Sequence, residues 1–416
     1  MKITGVRAFL LSYPFEKTLT YNYFGGERSI FKRDAMLIRI DTDSGIVGWA
    51  PGQASETARH AIENTISPFL TGHHLADPDA LRVLFQKGPG SNPFLARIYC
   101  SVEIGLYDIL GKSHGVPVSE YLGGRIRDRI RLYGSAGMYM PPELYAEEAA
   151  AIAALGFRAY KMRPALGPEK DIETVRLMRE ATGAAFDLMV DAHTWWRMGD
   201  RSYTEQQVLE TTQALADYDL AWLEEPLPPN DHEAYKRIKE SGYVPLASGE
   251  HEPDDERYLD LILNECVDYV QMDVICQGGY PSARRILPEI ASSGLRFAFH
   301  SWGTALEVVA AAHLGICWPE TVVEWLEYPC YSTETQAGMY PFPLAAEMLK
   351  EPLHIDHGDL LVPRAPGLGV EIDERVIEKY PWIPGPWSSF SLDSPKETWA
   401  VSGDHSVRWA DKPKTE

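Results

Sequence analysis

Apolar and polar residues alternate over positions 2–12, and again on both sides of a turn at Asp43-Ser44-Gly45 within 35–50. Alternation puts one face of a strand in a core and the other toward water, so the chain opens as antiparallel sheet. The period then changes. Segments 55–70, 77–86 and 98–113 carry apolar residues at helical spacing, with Gly115 near the end of the last. From about Arg131 to Glu327 short apolar runs alternate with amphipathic stretches such as 142–155, 171–181 and 205–218. The runs are 131–137, 157–162, 187–191, 220–225, 244–250, 268–273, 296–301 and 321–327. Strands apolar on both sides suit a parallel sheet covered by helices. Eight of them, each leading to a helix, predict an α/β fold of the (β/α)8 TIM-barrel type with an irregular last unit. The expected division is an α+β domain over 1–125, the barrel over 126–350 and a C-terminal return over 351–416. That last part carries Trp382, Trp387, Trp399 and Trp409 among many Pro and Ser residues. Indoles are rarely left in water, so the tail is expected to pack on the first domain or on a neighbouring subunit.

The formal charge of −21 argues against a nucleic-acid backbone or an anionic membrane surface as partner, while leaving a small anionic substrate open. The five cysteines are odd in number and widely spaced, with no Cys-x-x-Cys, which suits reduced thiols better than a disulfide frame or a zinc site. No apolar run is long enough to span a bilayer, and the N-terminus lacks a cleavable apolar core. A cytoplasmic protein is expected.

The polar residues that end the apolar runs carry the chemistry: Lys161, Asp191, Glu224, Glu250, Asp273, His300 and Glu327. Their successive spacings are 30, 33, 26, 23, 27 and 27 residues, one strand-helix unit each. In a barrel this gathers all seven at the C-terminal mouth, where barrel enzymes keep their active sites. A lone acid at such a position is more often a helix cap or an ion-pair partner, but consecutive units carrying one each point to a site. Asp191, Glu224 and Glu250 come from three adjacent strands. Oxygen-only ligands without Cys indicate one hard divalent cation, Mg²⁺ first. Only Lys161 and Arg163 are near enough in the pattern to neutralise these acids, so charge is left over for the metal. Asp273 and His300 sit one unit apart on the far side of the mouth. A carboxylate on one imidazole nitrogen fixes the tautomer and raises basicity, as a general base requires.

These motifs resemble the mandelate racemase subgroup of the enolase superfamily over nearly the whole chain. TDSGIVGWA, the block 101–124, Lys-x-Arg at 161–163, VDAH, WLEEPLPP, SGE, QMD, HSWGTA and PRAPGLGVEID appear in that family's order. The resemblance implies an α+β capping domain over an enolase-like modified barrel, and Glu224 rather than Glu225 as the ligand. It implies removal of the proton α to a carboxylate, with Mg²⁺ holding the resulting enediolate. It further implies that Glu327, in WLEYP, bonds the substrate carboxylate. A Glu327 protonated near neutral pH would donate; Glu324 falls mid-run and is expected to face elsewhere.

Two departures bear on the reaction. Many relatives carry Lys-x-Lys where this chain has Lys161 and Arg163, and an arginine cannot serve as a base. A two-base racemase is therefore disfavoured, and Lys161 and Arg163 are expected to grip substrate electrostatically. The second departure is His193 after Asp191, similar to the galactonate and mannonate dehydratases, where that His acts as acid or base. His300 as base and His193 as acid would expel water from an acid sugar to give a 2-keto-3-deoxy acid. The two roles can also be exchanged, or His300 can serve both steps, or His193 can merely orient Asp191. Epimerisation and lactone cycloisomerisation are the alternatives, with a catalytically inactive binding relative behind them. Trp195, Trp302 and Tyr21 are expected near the substrate, the cap loops 21–26 and 49–53 choose it, and His251 carries no assignment. The resemblance also implies a homo-oligomer, from dimer to octamer.

Overall fold

The computed structural model describes residues 1–330, 339 and 341–403; Trp409 lies outside the described residues. Eight parallel strands close into a barrel: Arg129–Met138, Ala159–Arg163, Asp187–Asp191, Leu220–Glu224, Leu246–Ser248, Tyr269–Met272, Arg296–Phe299 and Val323–Pro329. Each pairs with the next, and the last returns to the first in a register running from Trp325↔Arg131 to Pro329↔Ser135. Their order along the chain is the order of the apolar runs. The helices between them include Pro142–Ala154, Pro168–Thr182, Glu205–Leu215, Gly279–Ser292 and Ala305–Gly315, and they cover the outside.

The barrel interior is a packed core, with one side chain from each strand. Tyr133, Ala159, Met189, Trp222, Ala247, Tyr269, Ala298 and Trp325 form one buried cluster. Strand side chains alternate with period two, so the inward positions one layer higher fall two residues later. Those positions are Ser135, Lys161, Asp191, Glu224, Gly249, Gln271, His300 and Glu327. Every side chain on this second layer is polar. The change from apolar to polar therefore occurs at one height around the whole barrel, and everything above it is site rather than core.

An antiparallel sheet sits over the mouth. Its centre is a hairpin of Ile3–Tyr23 with Gly26–Thr42, extended on one side by Val47–Gly52. The hairpin is much longer than the strand read at 2–12. Over 13–34 charged residues interrupt the apolar alternation, yet Arg28, Lys32 and Arg33 are all buried. Segment 21–26, expected as a loop, is the tip of this hairpin, where Tyr23 pairs with Gly26. The long helix Pro93–His114 packs beneath, buried continuously from Ile98 to Gly111. Its Asp108 accepts backbone N–H bonds from Trp49 at 2.9 Å and Leu368 at 2.8 Å, joining the N-terminal sheet to the C-terminal return. The tail comes back as a second hairpin, Ser388–Leu392 with Glu397–Val401, whose first strand pairs with residues 26–30. That pairing packs the tail on the first domain, and within the tail Trp399 stacks on Phe390 at 4.4 Å. Among the described residues no helix is long and apolar enough to cross a membrane.

Candidate active site

A cavity of about 310 Å³ lies between the barrel mouth and the sheet above it. The barrel contributes Arg163, Asp191, His193, Glu250, Asp273, His300 and Trp302 to its walls, and the cap contributes Arg28, Arg33 and Gly52. Of the residues singled out from sequence, these seven meet at one place. Lys161, Glu224 and Glu327 lie directly beneath, fully buried in the polar layer. Trp195 is buried against Tyr203, and neither Trp195 nor Tyr21 is among the residues lining the cavity.

The polar layer is one connected network. Lys161 Nζ donates to Glu224 at 2.7 Å and stands 3.2 Å from Glu327 and 3.9 Å from Asp191. The other oxygen of Glu224 accepts from Gln271 Nε2 at 2.7 Å and Trp222 Nε1 at 3.0 Å. Arg163 spans the layer above, with Nε 3.2 Å from Asp191 and Nη2 3.3 Å from Glu327. Glu327 also accepts from the Ser301 backbone N–H. Lys161, His300 and Arg163 overcome its burial and hold its carboxyl below the usual range. Glu327 is thus an ionised acceptor, and the donor role considered for a protonated form is not the one this surrounding favours.

Lys161 does not touch the cavity. Of the pair expected to grip substrate, Arg163 is the one that lines the cavity, with its guanidinium carbon 3.8 Å from the Trp302 ring centroid.

Asp191 and Glu224 are directly paired neighbours on adjacent strands. Glu250 follows the short strand Leu246–Ser248 after Gly249, which takes φ +138. A Cβ there would stand 2.1 Å from the Gln271 carbonyl, so only glycine lets the chain turn at this point. Burial works against an ionised Asp191, but His193, Arg163 and Lys161 hold it well below the carboxylate range. Burial pushes Glu224 up to about 8 against the pull of Lys161, with Asp191, Glu250 and Glu327 adding to the rise. Four acids, Asp191, Glu224, Glu250 and Glu327, share Lys161, Arg163 and His300, and the rise of Glu224 marks it as the acid least answered by these cations. All-oxygen donors with excess charge fit a hard divalent cation, so Asp191, Glu224 and Glu250 suit the ion that the sequence pattern implies.

Glu225 points elsewhere. Its backbone takes φ +43, and its carboxylate meets His251 Nδ1 at 2.7 Å. Among the described residues, the acids and histidines that place ligand atoms within 4.8 Å of one another are Glu225, Glu250 and His251, so Glu250 is shared between this group and the set read from the sequence.

His300 sits with Nδ1 3.3 Å from Asp273 and Nε2 3.1 Å from Glu250. Burial lowers its pKa, but Glu250, Glu327 and Asp273 outweigh this and carry it to about 10. His193 Nδ1 donates to Asp191 at 2.6 Å, leaving the rest of its ring to the cavity. Burial lowers His193 despite the Asp191 partner. Two imidazoles therefore flank the acids, one with its pKa raised and one with it lowered.

Sequence reasoning assigned no site role to Arg28, Arg33, Arg197 and Phe390, left His251 unassigned and read Trp387 and Trp399 only as packing residues of the tail, yet all of them line the cavity. Arg197 lies 3.0 Å from His251 Nε2 and continues the chain that begins at Glu225. None of these sits at a strand end, so strand-end reading had no signal for them.

Residues 27–123 match the mandelate racemase / muconate lactonizing enzyme N-terminal domain, and residues 144–376 match the enolase C-terminal domain-like family. The chain is 28% identical over 394 residues to the D-galactarolactone cycloisomerase of Agrobacterium fabrum, covering 91% of this chain and 99% of that protein. It is 28% identical over 373 residues to the D-xylonate dehydratase of Haloferax volcanii, covering 83% of this chain and 85% of that one. The crystal structure of an enolase-superfamily member from Polaromonas sp. JS666 superposes with a TM-score of 0.79 at 30% identity, covering 93% of this chain and 99% of the other. Relatives between 21% and 28% identical include dehydratases, a cycloisomerase and a racemase. With both domain families matched in order and the barrel closed beneath its cap, the chain belongs to the mandelate racemase / muconate lactonizing enzyme family of the enolase superfamily.

Proposed function

We propose that the protein is a Mg²⁺-dependent acid-sugar dehydratase. The observation that carries this reading is that His193 and His300 both face the one cavity, on either side of Asp191 and Glu250, while the second strand offers Arg163 and no second lysine. A Mg²⁺ held by Asp191, Glu224 and Glu250 would supply positive charge to the substrate carboxylate and offset the acids that carry His300 to about 10.

Arg163 anchors the carboxylate, with its own plane fixed by Trp302 and by its bonds to Asp191 and Glu327. His300 Nε2 takes the proton from the carbon next to the carboxylate, and Asp273 orients the ring through Nδ1. The electron pair of that C–H bond moves into the new double bond as the hydroxyl on the next carbon departs. His193 gives that hydroxyl a proton, so water leaves and an enol remains, which tautomerises to the 2-keto-3-deoxy acid. His193 takes this role because its Nδ1 bonds Asp191 while the rest of its ring faces the cavity from the side opposite His300.

A second reading is lactone cycloisomerisation, favoured by the similarity to the Agrobacterium cycloisomerase over 99% of that protein's length. The two separate in one experiment. The Mg²⁺-loaded enzyme is given aldonic acids, aldaric acids and their lactones in deuterated water. A 2-keto-3-deoxy product supports dehydration, and an isomerised lactone transfers the assignment to the second reading. Exchange at the α-carbon without either product identifies an epimerase. No turnover and no exchange with any acid would sink the enzymatic proposal.

A further inference from the structure

One wall of the cavity is an unbroken alternation of arginines and aromatic rings. Arg163 lies on Trp302 at 3.8 Å, and Arg33 lies between Trp302 at 6.0 Å and Trp387 at 4.8 Å. Arg28 follows, 5.3 Å from Trp387 and 4.6 Å from Phe390, which itself stacks on Trp399. All seven line the same cavity. The wall begins at Arg163, on the bond to Asp191, and ends in the C-terminal hairpin.

Arg28 is the member whose charge is not answered. It is 7% exposed and bonds Ser388 Oγ at 3.2 Å and the Met138 sulfur at 3.4 Å, both neutral groups. Among the described residues no carboxylate lies within 4 Å of it. The cap-side acid of the same cavity, Asp34, is held by Lys32 at 3.1 Å and Ser12 at 2.7 Å. A buried guanidinium seated on aromatic rings, lining a cavity and bonded only to neutral groups, is a pre-organised receptor for an anion. The seat belongs to a part of the chain outside both family matches, which end at residue 376. The cap strand is shaped to receive it: a Cβ on Gly26 would stand 2.0 Å from the Ser391 carbonyl.

We propose that the substrate carries a second anionic group at its far end, a carboxylate or a phosphate, which Arg28 binds on the wall built by the C-terminal hairpin. The proposal rests on the reading of the cavity as an acid-sugar site and adds which acid sugars it takes. A monoanionic sugar acid fills the metal end and leaves Arg28 desolvated without a partner. A dianion answers both ends, so the hairpin acts as the specificity element of this chain.

Binding is measured by calorimetry on the Mg²⁺-loaded full chain, with an aldarate, a 6-phosphoaldonate and an aldonate that share one configuration. One of the dianions is expected to bind roughly 30-fold or more tighter than the aldonate, the scale for leaving a buried charge unpaired. Which dianion it is distinguishes carboxylate from phosphate. Arg28→Gln is expected to collapse this discrimination, and Arg28→Lys to restore part of it. Should Arg28→Gln fail to fold by circular dichroism, Trp387→Leu removes the seat and is expected to narrow the same gap. Equal affinity for monoanion and dianions in the unaltered protein would overturn the proposal, as would an undiminished preference in Arg28→Gln. Binding without turnover separates the two readings: dianion preference without dehydration removes the dehydratase and keeps the wall, whereas dehydration of aldonates without dianion preference does the reverse.

Discussion

Arg163 lies over the ring of Trp302, its guanidinium carbon 3.8 Å from the ring centroid, while its Nε stands 3.2 Å from Asp191. A side chain that cannot lose its proton thus occupies the position where the family resemblance implies a second lysine in many members. It is held there by an aromatic face, an inferred metal ligand and Glu327 together.

Removing that tie should be felt at the metal before it is felt in the chemistry. Arg163→Met is expected to weaken Mg²⁺ binding by roughly 10- to 100-fold, the usual cost of losing an outer partner of a metal ligand. Calorimetric titration of the purified variant with Mg²⁺ checks it. Arg163→Lys keeps the charge but loses the planar stack and the simultaneous reach to Asp191 and Glu327, so it should recover only part of the affinity.

The two histidines should separate by step. His300→Asn is expected to abolish exchange of the α-proton with solvent deuterium, a loss of about 10²- to 10⁴-fold. His193→Asn should keep exchange above background while product formation falls. If both substitutions remove exchange equally, His193 acts in the first step as well.

Glu224 and Glu225 offer a direct test of the metal site, because the structure turns adjacent carboxylates to different partners. Glu224→Gln should remove measurable Mg²⁺ binding, since a neutral amide replaces one of three anionic oxygen donors. Glu225→Gln should change it only a few-fold and mainly loosen His251 and Arg197. The opposite ranking would assign the ion to the group formed by Glu225, Glu250 and His251.

His313 gives an expectation about stability that does not involve the site. It is fully buried and donates from Nε2 to the Leu368 carbonyl at 3.0 Å, and burial lowers its pKa from 6.5 to about 4. Below pH 6.5 the unfolded imidazole takes a proton that the folded one refuses until about pH 4, so stability falls as pH falls through that window. The contribution is about 3 kcal/mol when the window has been crossed. Denaturant unfolding at pH 7 and 4.5 should show a smaller difference for His313→Gln, which keeps a donor but does not titrate.

The barrel was legible because its strands are covered on both sides and read as apolar runs, and because the register repeats. Lys161, Asp191, Glu224, His300 and Glu327 each stand two residues beyond a member of the apolar layer formed by Ala159, Met189, Trp222, Ala298 and Trp325. The same period misled at the cap. Residues 13–23 and 26–34 form strand although their buried face includes Arg28, Lys32 and Arg33, and an alternation of charge with apolar residues hides a strand that lines a polar cavity.

What the sequence by itself determined is local and periodic: which segments are strands, at which residue each changes from apolar to polar, and the residue types gathered at one height. Closing eight such strands in chain order leaves those residues no other place to go. What only the tertiary structure decided is how far each points and what comes to meet it. Lys161 sinks beneath Glu224 and Glu327, whereas Arg163, two residues on, rises to Trp302 and the cavity. Trp387, Phe390 and Trp399 reach the same cavity from the far end of the chain because residues 388–392 pair with residues 26–30. Such pairings depend on the edge left open by a distant strand, and no period along the chain encodes that edge.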